Sequence, residues 1–506
     1  MQNVAIIGAG PAGLVTARWL QEEGFRPVLF EQGEHLGGQW CGGAAHSGVW
    51  PSMCTNTSRV MSAFSDLDHG PEVPIYPSNQ QMRAYLERYA RRFGLDEVLR
   101  TQSRVVEVAQ EGDGWRVSTL AADGSVRKER FSKVVVASGR YNKPRIPATA
   151  GLETFSGSGG VLHTFQYRGA ARFQGMRVVV AGGSISALEI ASELAMHGVE
   201  VIASQRKQRY VLQKLVAGVP VEHRVFTRFA ALAGESFPPE VSGRALRDFI
   251  VATAGNPEQF GAPRPSDDVF EANITQNQNF LPLVAEGRIT TRPAIRSISG
   301  RDVEFVDGSR AEVDAIVFGT GFDLHLPFLG PDLRRSLGAD DEGMDLFAHT
   351  LHPSLPGIAF AGLFHIAGPS LPTLELQGRW IAAQWSGQRP GITPEQFKQG
   401  LAAARGVRGD TPMHALAVMF ARLAGVEPDP VEHSDLARAL LFGPLSPASF
   451  RLSGSHRLDD APVRTRAAAA AFGASADGAW TPEQRAQIEA LAGVRNDVRL
   501  AQLVGA

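Results

Sequence analysis

Residues 4–32 read VAIIGAGPAGLVTARWLQEEGFRPVLFEQ, and the fold turns on this stretch. An apolar run ends at Gly8, and Gly8, Gly10 and Gly13 give G-x-G-x-x-G. Apolar residues then recur at helical intervals at Leu14, Val15, Trp19 and Leu20, and Gly24 supplies the stop. A second apolar run, PVLF, ends at Glu31. Strand, turn, helix, strand and acid in register predict a dinucleotide-binding unit. Gly8 permits the tight turn, Gly10 leaves room for a pyrophosphate, and Gly13 lets helix and strand close up. The helix N-terminus, entered through Pro11, offers free N–H groups from Ala12 onward and partial positive charge to phosphate. Glu31 can accept hydrogen bonds from ribose hydroxyls.

Further along, residues 177–190 read RVVVAGGSISALEI. A shift of 174 residues pairs Gly8 with Gly182, Ala17 with Ala191, Leu20 with Leu194 and Gly24 with Gly198. The second and third glycines of the motif are replaced by Ser184 and Ala187. Serine is small and can donate to phosphate, and alanine still permits close packing. The same shift pairs Glu31 with Gln205, and Arg206 and Lys207 follow at once. Loss of the acid and gain of guanidinium is the exchange expected where the ribose carries a 2′-phosphate. Two such units predict two nucleotides, FAD on the acid-bearing one and NADPH on the basic one. Flavin accepts hydride from nicotinamide and passes electrons on, so an enzyme is expected.

The bulk numbers agree. The chain has 506 residues and a formal charge of -2, which gives no reason to expect nucleic acid or an anionic membrane surface as partner. The N-terminus enters an apolar strand without the basic and cleavage regions of a signal peptide, and no apolar run is long enough for a membrane span. A soluble, cytoplasmic protein is expected. Cys41 and Cys54 are too few for a disulfide framework. His349 and His352 have no second ligand pair nearby, so no metal is expected.

Several further stretches resemble the flavin-containing monooxygenases, class B flavoprotein monooxygenases. LGGQW at residues 36–40 matches the family's second glycine pair along the flavin. CTNTSRVMSAFSDLD from residue 54 is similar to the segment that carries an active-site asparagine and ends in F-x-D. VVVASGRYNKPRIP resembles the return crossing between domains, DAIVFGTGFDLHLPFL resembles the family's A-T-G-[YF] stretch with Gly319 in place of alanine, and PSLPTLELQGRW resembles the late segment that returns to the flavin. FSGSGGVLHTFQYR is similar to the subfamily fingerprint, with two extra residues between Phe155 and His163. Its close on Tyr167 and Arg168 resembles the nitrogen- and sulfur-oxygenating branch, since Baeyer–Villiger enzymes end in W-[PD]. His163 is read as fixing the linker between domains. The resemblance runs over residues 1–390.

The resemblance implies an α/β fold with two dinucleotide-binding Rossmann-like domains and a helical C-terminal extension. The expected division is an FAD domain at 1–165 and again at 320–392, an NADPH domain at 166–319, and the extension at 393–506. It implies that NADPH reduces FAD, that O2 forms a C4a-hydroperoxide, and that a small-molecule nucleophile takes the distal oxygen. Asn56 is the expected catalytic side chain, because an amide both donates and accepts without losing a proton. By position, the FAD residues are Gly8, Gly10, Pro11, Ala12, Gly13 and Glu31, joined by Gln39, Trp40, Asn56 and Thr57, then Ser138, Gly139 and Gln377. Those for NADPH are Gly182, Ser184, Ser186 and Ser204, then Arg206, Lys207, Thr320 and Gly321. Baeyer–Villiger oxygenation of ketones and flavin electron transfer to a partner stay open as alternatives. In the tail, TPEQ at Thr393 and at Thr481 each predicts a helix start, and MHALAVMFARLAGV predicts a further helix. The tail is expected to pack over the FAD domain and to shape substrate access or the contact of a homodimer.

Overall fold

A computed structural model describes residues 2–474 and 479–505. Two five-stranded parallel sheets organise it. The first runs Ile358–Phe360, Lys133–Val136, Asn3–Ile7, Arg26–Phe30 and Leu99–Arg100 in spatial order. The second runs Ile289–Arg292, Glu200–Ser204, Arg177–Ala181, Ala315–Phe318 and Gly160–His163. Their central strands are runs of Val, Ile and Ala buried on both faces, as parallel strands covered by helices must be.

The internal repeat holds residue by residue. The helices Pro11–Glu22 and Ile185–Met196, and the strands flanking each, keep the 174-residue offset at both ends. Each helix ends before a left-handed glycine, Gly24 at φ 79° and Gly198 at φ 80°. Each unit also carries a three-stranded antiparallel meander, Ser103–Glu111, Gly114–Ala121 and Val126–Phe131 in the first, Ile295–Ser299, Asp302–Phe305 and Arg310–Glu312 in the second.

Two crossings join the units. Lys143–Pro144 and Phe322–Asp323 pair antiparallel. Arg145 N–H donates to the Gly321 carbonyl at 3.0 Å, and the Thr320 hydroxyl to the Arg145 carbonyl at 2.5 Å. Strand Gly160–His163 already belongs to the second sheet, ahead of the expected division at 166, because Phe318 and His163 close its edge in register. Strand Ile358–Phe360 returns to the first sheet.

Both TPEQ stretches form the expected capping boxes, with Thr393 and Thr481 as caps and proline at the first helical position. Helix Met413–Ala424 ends at left-handed Gly425 and buries Leu416, Ala417 and Phe420 in the core shared with Pro11–Glu22 and Leu371–Trp385. The tail therefore completes the first unit's core. Arg451, 3% exposed, pairs with Asp66, whose other oxygen lies 2.9 Å from Arg18 Nε. Arg464 pairs with Asp68 at 2.7 Å, so both acids of the FSDLD stretch are spent on anchoring. Arg379 donates to the carbonyls of Phe450 and Ser455 and lies over the Trp19 ring.

Candidate active site

The first nucleotide turn is tight. A Cβ on Gly13 would sit 1.9 Å from the Gly8 carbonyl oxygen, and one on Gly8 2.4 Å from that of Ala137. Both are closer than any side chain tolerates, so both positions require glycine. A Cβ on Gly38, at φ 56°, would come 3.0 Å from Gly10 Cα, so the second glycine pair lies on the first. Bare backbone thus surrounds the N-terminus of Pro11–Glu22, the kind of surface a pyrophosphate can approach. Ser138 and Gly139 flank it, and the Ser138 hydroxyl is buried without a partner. Glu31, 4% exposed, accepts from Ala9 N–H at 3.0 Å and Gly33 N–H at 2.8 Å. A carboxylate has about four acceptor positions, so capacity for ribose hydroxyls remains.

The second turn follows the same path with other atoms. Gly182 N–H donates to the Ser204 carbonyl at 2.8 Å, as Gly8 N–H donates to that of Phe30 at 2.8 Å. Ser184 is the helix cap: its hydroxyl accepts from Ala187 N–H at 3.3 Å and donates to the Gly319 carbonyl at 3.1 Å. Its proton is thus used within the chain, which leaves the free N–H groups of the helix start as the donors available to a phosphate at this turn. Ser186 stands half-buried on the first helical turn, and the Ser204 hydroxyl faces the Pro293 carbonyl at 2.7 Å. A Cβ on Gly319 would meet Ala187 Cβ at 2.6 Å. The two departures from the motif are therefore one complementary pair: the methyl that Gly319 lacks is the methyl that Ala187 carries.

At the end of that strand the two units part. Gln205 is 9% exposed, yet neither its amide oxygen nor its nitrogen has a partner. The amide borders Gly183, whose Cβ would lie 3.0 Å from Gln205 Oε1 and 3.2 Å from Arg209 Nε. Arg206 is exposed, and Lys207 pairs loosely with Glu271 at 3.6 Å. An orphaned buried amide, two cations and Arg209 over a glycine fit a phosphorylated ribose. Sequence reading missed Arg209, because the offset that aligns Glu31 with Gln205 has no motif position for it.

One segment joins the first turn to the second unit. It begins at Gly37–Gly38 against Gly10. Gln39 ties it down, donating to the carbonyls of His46 and Tyr141, each at 2.8 Å, and accepting from Gly48 N–H at 2.9 Å. Trp40 packs half-buried on the first core. Further on, Trp50 Nε1 and the Ser52 hydroxyl donate to Glu193 on the second unit's helix at 2.9 and 2.8 Å. Residues 54–59 then run beside 75–78, anchored where Thr55 N–H meets the Pro77 carbonyl and Arg59 N–H that of Ile75. Between these anchors Asn56 is half-buried, and among the described residues nothing hydrogen-bonds its amide. The Thr57 hydroxyl bonds Ser62 at 2.8 Å. Gln377, fully buried, uses its amide inside the chain, accepting from Gly362 N–H at 2.9 Å and donating to Thr350 and Phe360.

A family profile described as "Flavin-binding monooxygenase-like" matches residues 1–397. The chain belongs to this family. It is an oxidoreductase whose fold carries two Rossmann-like units. Dimethylaniline monooxygenase [N-oxide-forming] 2 of Rattus norvegicus is 29% identical over 402 residues, 76% of this chain and 74% of the relative. Flavin-containing monooxygenase 5 of the same species is 26% identical, covering 90% of this chain and 89% of the relative. Among solved structures, S-allyl-L-cysteine S-oxygenase from Allium sativum superposes at TM-score 0.58 and 23% identity, covering 100% of this chain and 97% of that one. Cyclohexanone monooxygenase from Rhodococcus sp. Phi1, bound to NADP+, superposes at TM-score 0.61 and 18% identity over 84% of this chain and 97% of that one. At these identities the superpositions speak for the fold.

The fingerprint of this flavin monooxygenase works as a clasp. His163, 1% exposed, accepts at Nδ1 from Phe165 N–H at 3.1 Å and meets the Phe322 ring edge-on. Burial pushes its pKa down to about 4, so the ring is neutral. Tyr167 packs edge-on to Trp50, and Arg168 reaches across to the Ser47 carbonyl at 3.2 Å. The Tyr167 and Arg168 contacts bridge the two units, and the Phe322 contact ties His163 to the crossing between them. Cys41 is buried and Cys54 exposed, both unpaired. Among the described residues no helix is long and apolar enough to cross a membrane, and no group of three acids, histidines or cysteines could hold a metal ion.

Proposed function

We propose that the protein is an NADPH- and O2-dependent monooxygenase that transfers one oxygen atom to a soft nitrogen or sulfur of a small molecule. NADPH, O2, a proton and the substrate give NADP+, water and the oxygenated substrate. FAD supplies the chemistry when bound, taking hydride from NADPH and activating O2. Gly8, Gly10, Pro11, Ala12 and Gly13 hold its pyrophosphate, and Glu31 its ribose, with Ser138 and Gly139 at the rim. Gly182, the backbone at Ser184, Ser186 and the Gln205–Lys207 corner hold NADPH. Thr320 and Gly321 fix the crossing beside it. The chain divides accordingly into an FAD domain, an inserted NADPH domain opening at the strand Gly160–His163, and the helical extension.

The observation that carries this reading is the segment from Gly37 to Ser58. It starts on the first nucleotide turn, ends on the second unit, and presents the amide of Asn56 with no hydrogen-bond partner among the described residues. A free donor and acceptor there can orient nicotinamide and oxygen without titrating. Tyr167 and Arg168 at the end of the fingerprint favour nitrogen and sulfur over ketones. The need for reduced NADPH is met in the cytoplasm, where we place the enzyme.

The test is Asn56→Ala, assayed with N,N-dimethylaniline and thioanisole. The variant should purify with FAD, oxidise NADPH, and release hydrogen peroxide in place of oxygenated product. Wild-type product yield per NADPH would overturn the role of Asn56. Ester formation from a simple ketone by the wild type, with neither amine nor sulfide oxygenated, would move the reading to Baeyer–Villiger chemistry.

A further inference from the structure

The segment that carries Asn56 is held by a residue from the other unit. Ser58, two positions on and fully buried, donates its N–H to Oε1 of Glu222, and its hydroxyl lies 2.9 Å from Nε2 of His223. Glu222 and His223 open the short helix Glu222–Val225 of the NADPH unit. Glu222 is 0% and His223 2% exposed. The second carboxylate oxygen, Oε2, has no partner, and among the described residues no cation forms an ion pair with Glu222.

A buried carboxylate without a counter-ion is costly, and a neutral side chain would fill the same space at less cost. Its return is a charge-assisted hydrogen bond from the Ser58 N–H, roughly twice as strong as a neutral one, helped by its own backbone N–H and by the Ser58 hydroxyl. The remaining surroundings add little. Tyr76 feels the Glu222 charge but donates its hydroxyl to the Lys214 carbonyl at 2.6 Å. Lys214 favours the charged form from a distance, while its ammonium lies 3.5 Å from Glu189. Burial pushes the His223 pKa down to about 4, so that ring stays neutral. The extension closes the outer side, with Phe472 edge-on to His223 and Arg59 over the Phe472 ring.

We infer that Glu222 is the positioning residue for Asn56: its ionised carboxylate fixes the backbone at Ser58 and so sets where the Asn56 amide stands. This rests on the catalytic role of Asn56 proposed above. Burial raises the Glu222 pKa to about 7, which puts the change from a charged to a neutral acceptor within the working range of the enzyme. Raising the pH through that value strengthens the hold on Ser58, and lowering it loosens the hold. Neutral glutamine, close in shape, mimics the protonated state.

The experiment measures hydrogen peroxide released per NADPH consumed, with thioanisole as substrate, from pH 5.5 to 9, in holoenzyme of the wild type, Glu222→Gln, Glu222→Asp and Asn56→Ala. Wild-type coupling should rise about threefold or more as pH passes neutrality, the scale of one weakened charge-assisted bond. Glu222→Gln should match the wild type at low pH and stay flat above it. Glu222→Asp should keep an inflection at lower coupling, and it carries the test if the glutamine variant loses FAD. A Glu222→Gln profile that still rises like the wild type, or an aspartate variant with unaltered coupling throughout, would overturn the positioning role while Asn56→Ala remains uncoupled. Full coupling in Asn56→Ala would instead remove the reading on which the inference stands, and the inference with it.

Discussion

The two nucleotide turns share one backbone path and differ in where each carries a methyl group. In the first, the helix has Gly13 and the facing strand end has Ala137; in the second, the helix has Ala187 and the strand end has Gly319. Ala137 N–H donates to Ile7 and Gly319 N–H to Ala181, so the two strand ends are equivalent. In the second unit the Ala187 methyl fills the space that Gly319 leaves, whereas in the first the helix glycine meets the Gly8 carbonyl instead. With Gly13 against the Gly8 carbonyl, the first helix stands as near its turn as a helix can. The second, with a methyl at that place, must stand further off. The lesson is that a glycine motif is a packing rule, and a compensated substitution in it is not decay.

This comparison can be broken by substitution. Gly13→Ala should have the largest effect, because its Cβ would fall 1.9 Å from a backbone oxygen that cannot move aside. We expect a chain that purifies without flavin absorbance near 450 nm or does not fold. Gly319→Ala should be milder, because its clash is with a methyl at 2.6 Å. It should cost about 1–3 kcal/mol in denaturant unfolding, the usual penalty of overpacking. Adding Ala187→Gly recreates the first unit's arrangement and should recover most of that loss, a coupling a double-mutant cycle would read. Strict additivity of the two substitutions would refute the complementary pair. Next comes Gln205→Glu, which restores the acid of the first unit beside the ribose phosphate. It should raise the KM for NADPH about tenfold through like-charge repulsion while leaving that for NADH nearly unchanged. Ser184→Gly should do least, a few tenths of a kcal/mol, since glycine is nearly as good a helix cap as serine.

Much of this was legible in the sequence, for a physical reason. The turns, the two strand–helix–strand units and the capped tail helices depend on local spacing, and the 174-residue offset in the sequence is the offset of the elements themselves. The flavin monooxygenase family followed from several such spacings in order. What escaped depends on contacts between distant positions. Nothing near Gly319 in sequence says that Ala187 will fill its space, and Ser184 gave no sign that its hydroxyl proton would go to the Gly319 carbonyl. Arg209 lies over Gly183 only because the strand end turns back. Glu222 is one carboxylate in a stretch without pattern, and its partner Ser58 is 164 residues away. The tail was legible as helices packing over the first unit, but that Met413–Ala424 enters its core and that Arg451 meets Asp66 shows only in the folded chain.

The central claim is that the second unit is an NADPH site distinct from the FAD site of the first. The most direct test is cofactor choice in Arg206→Ala, whose guanidinium is exposed at the corner where the first unit has a glutamate. Loss of one charge-assisted pair with the 2′-phosphate should lower kcat/KM for NADPH by about ten- to a hundredfold and leave that for NADH within about twofold. An equal fall for both cofactors, or no fall for either, would contradict the account.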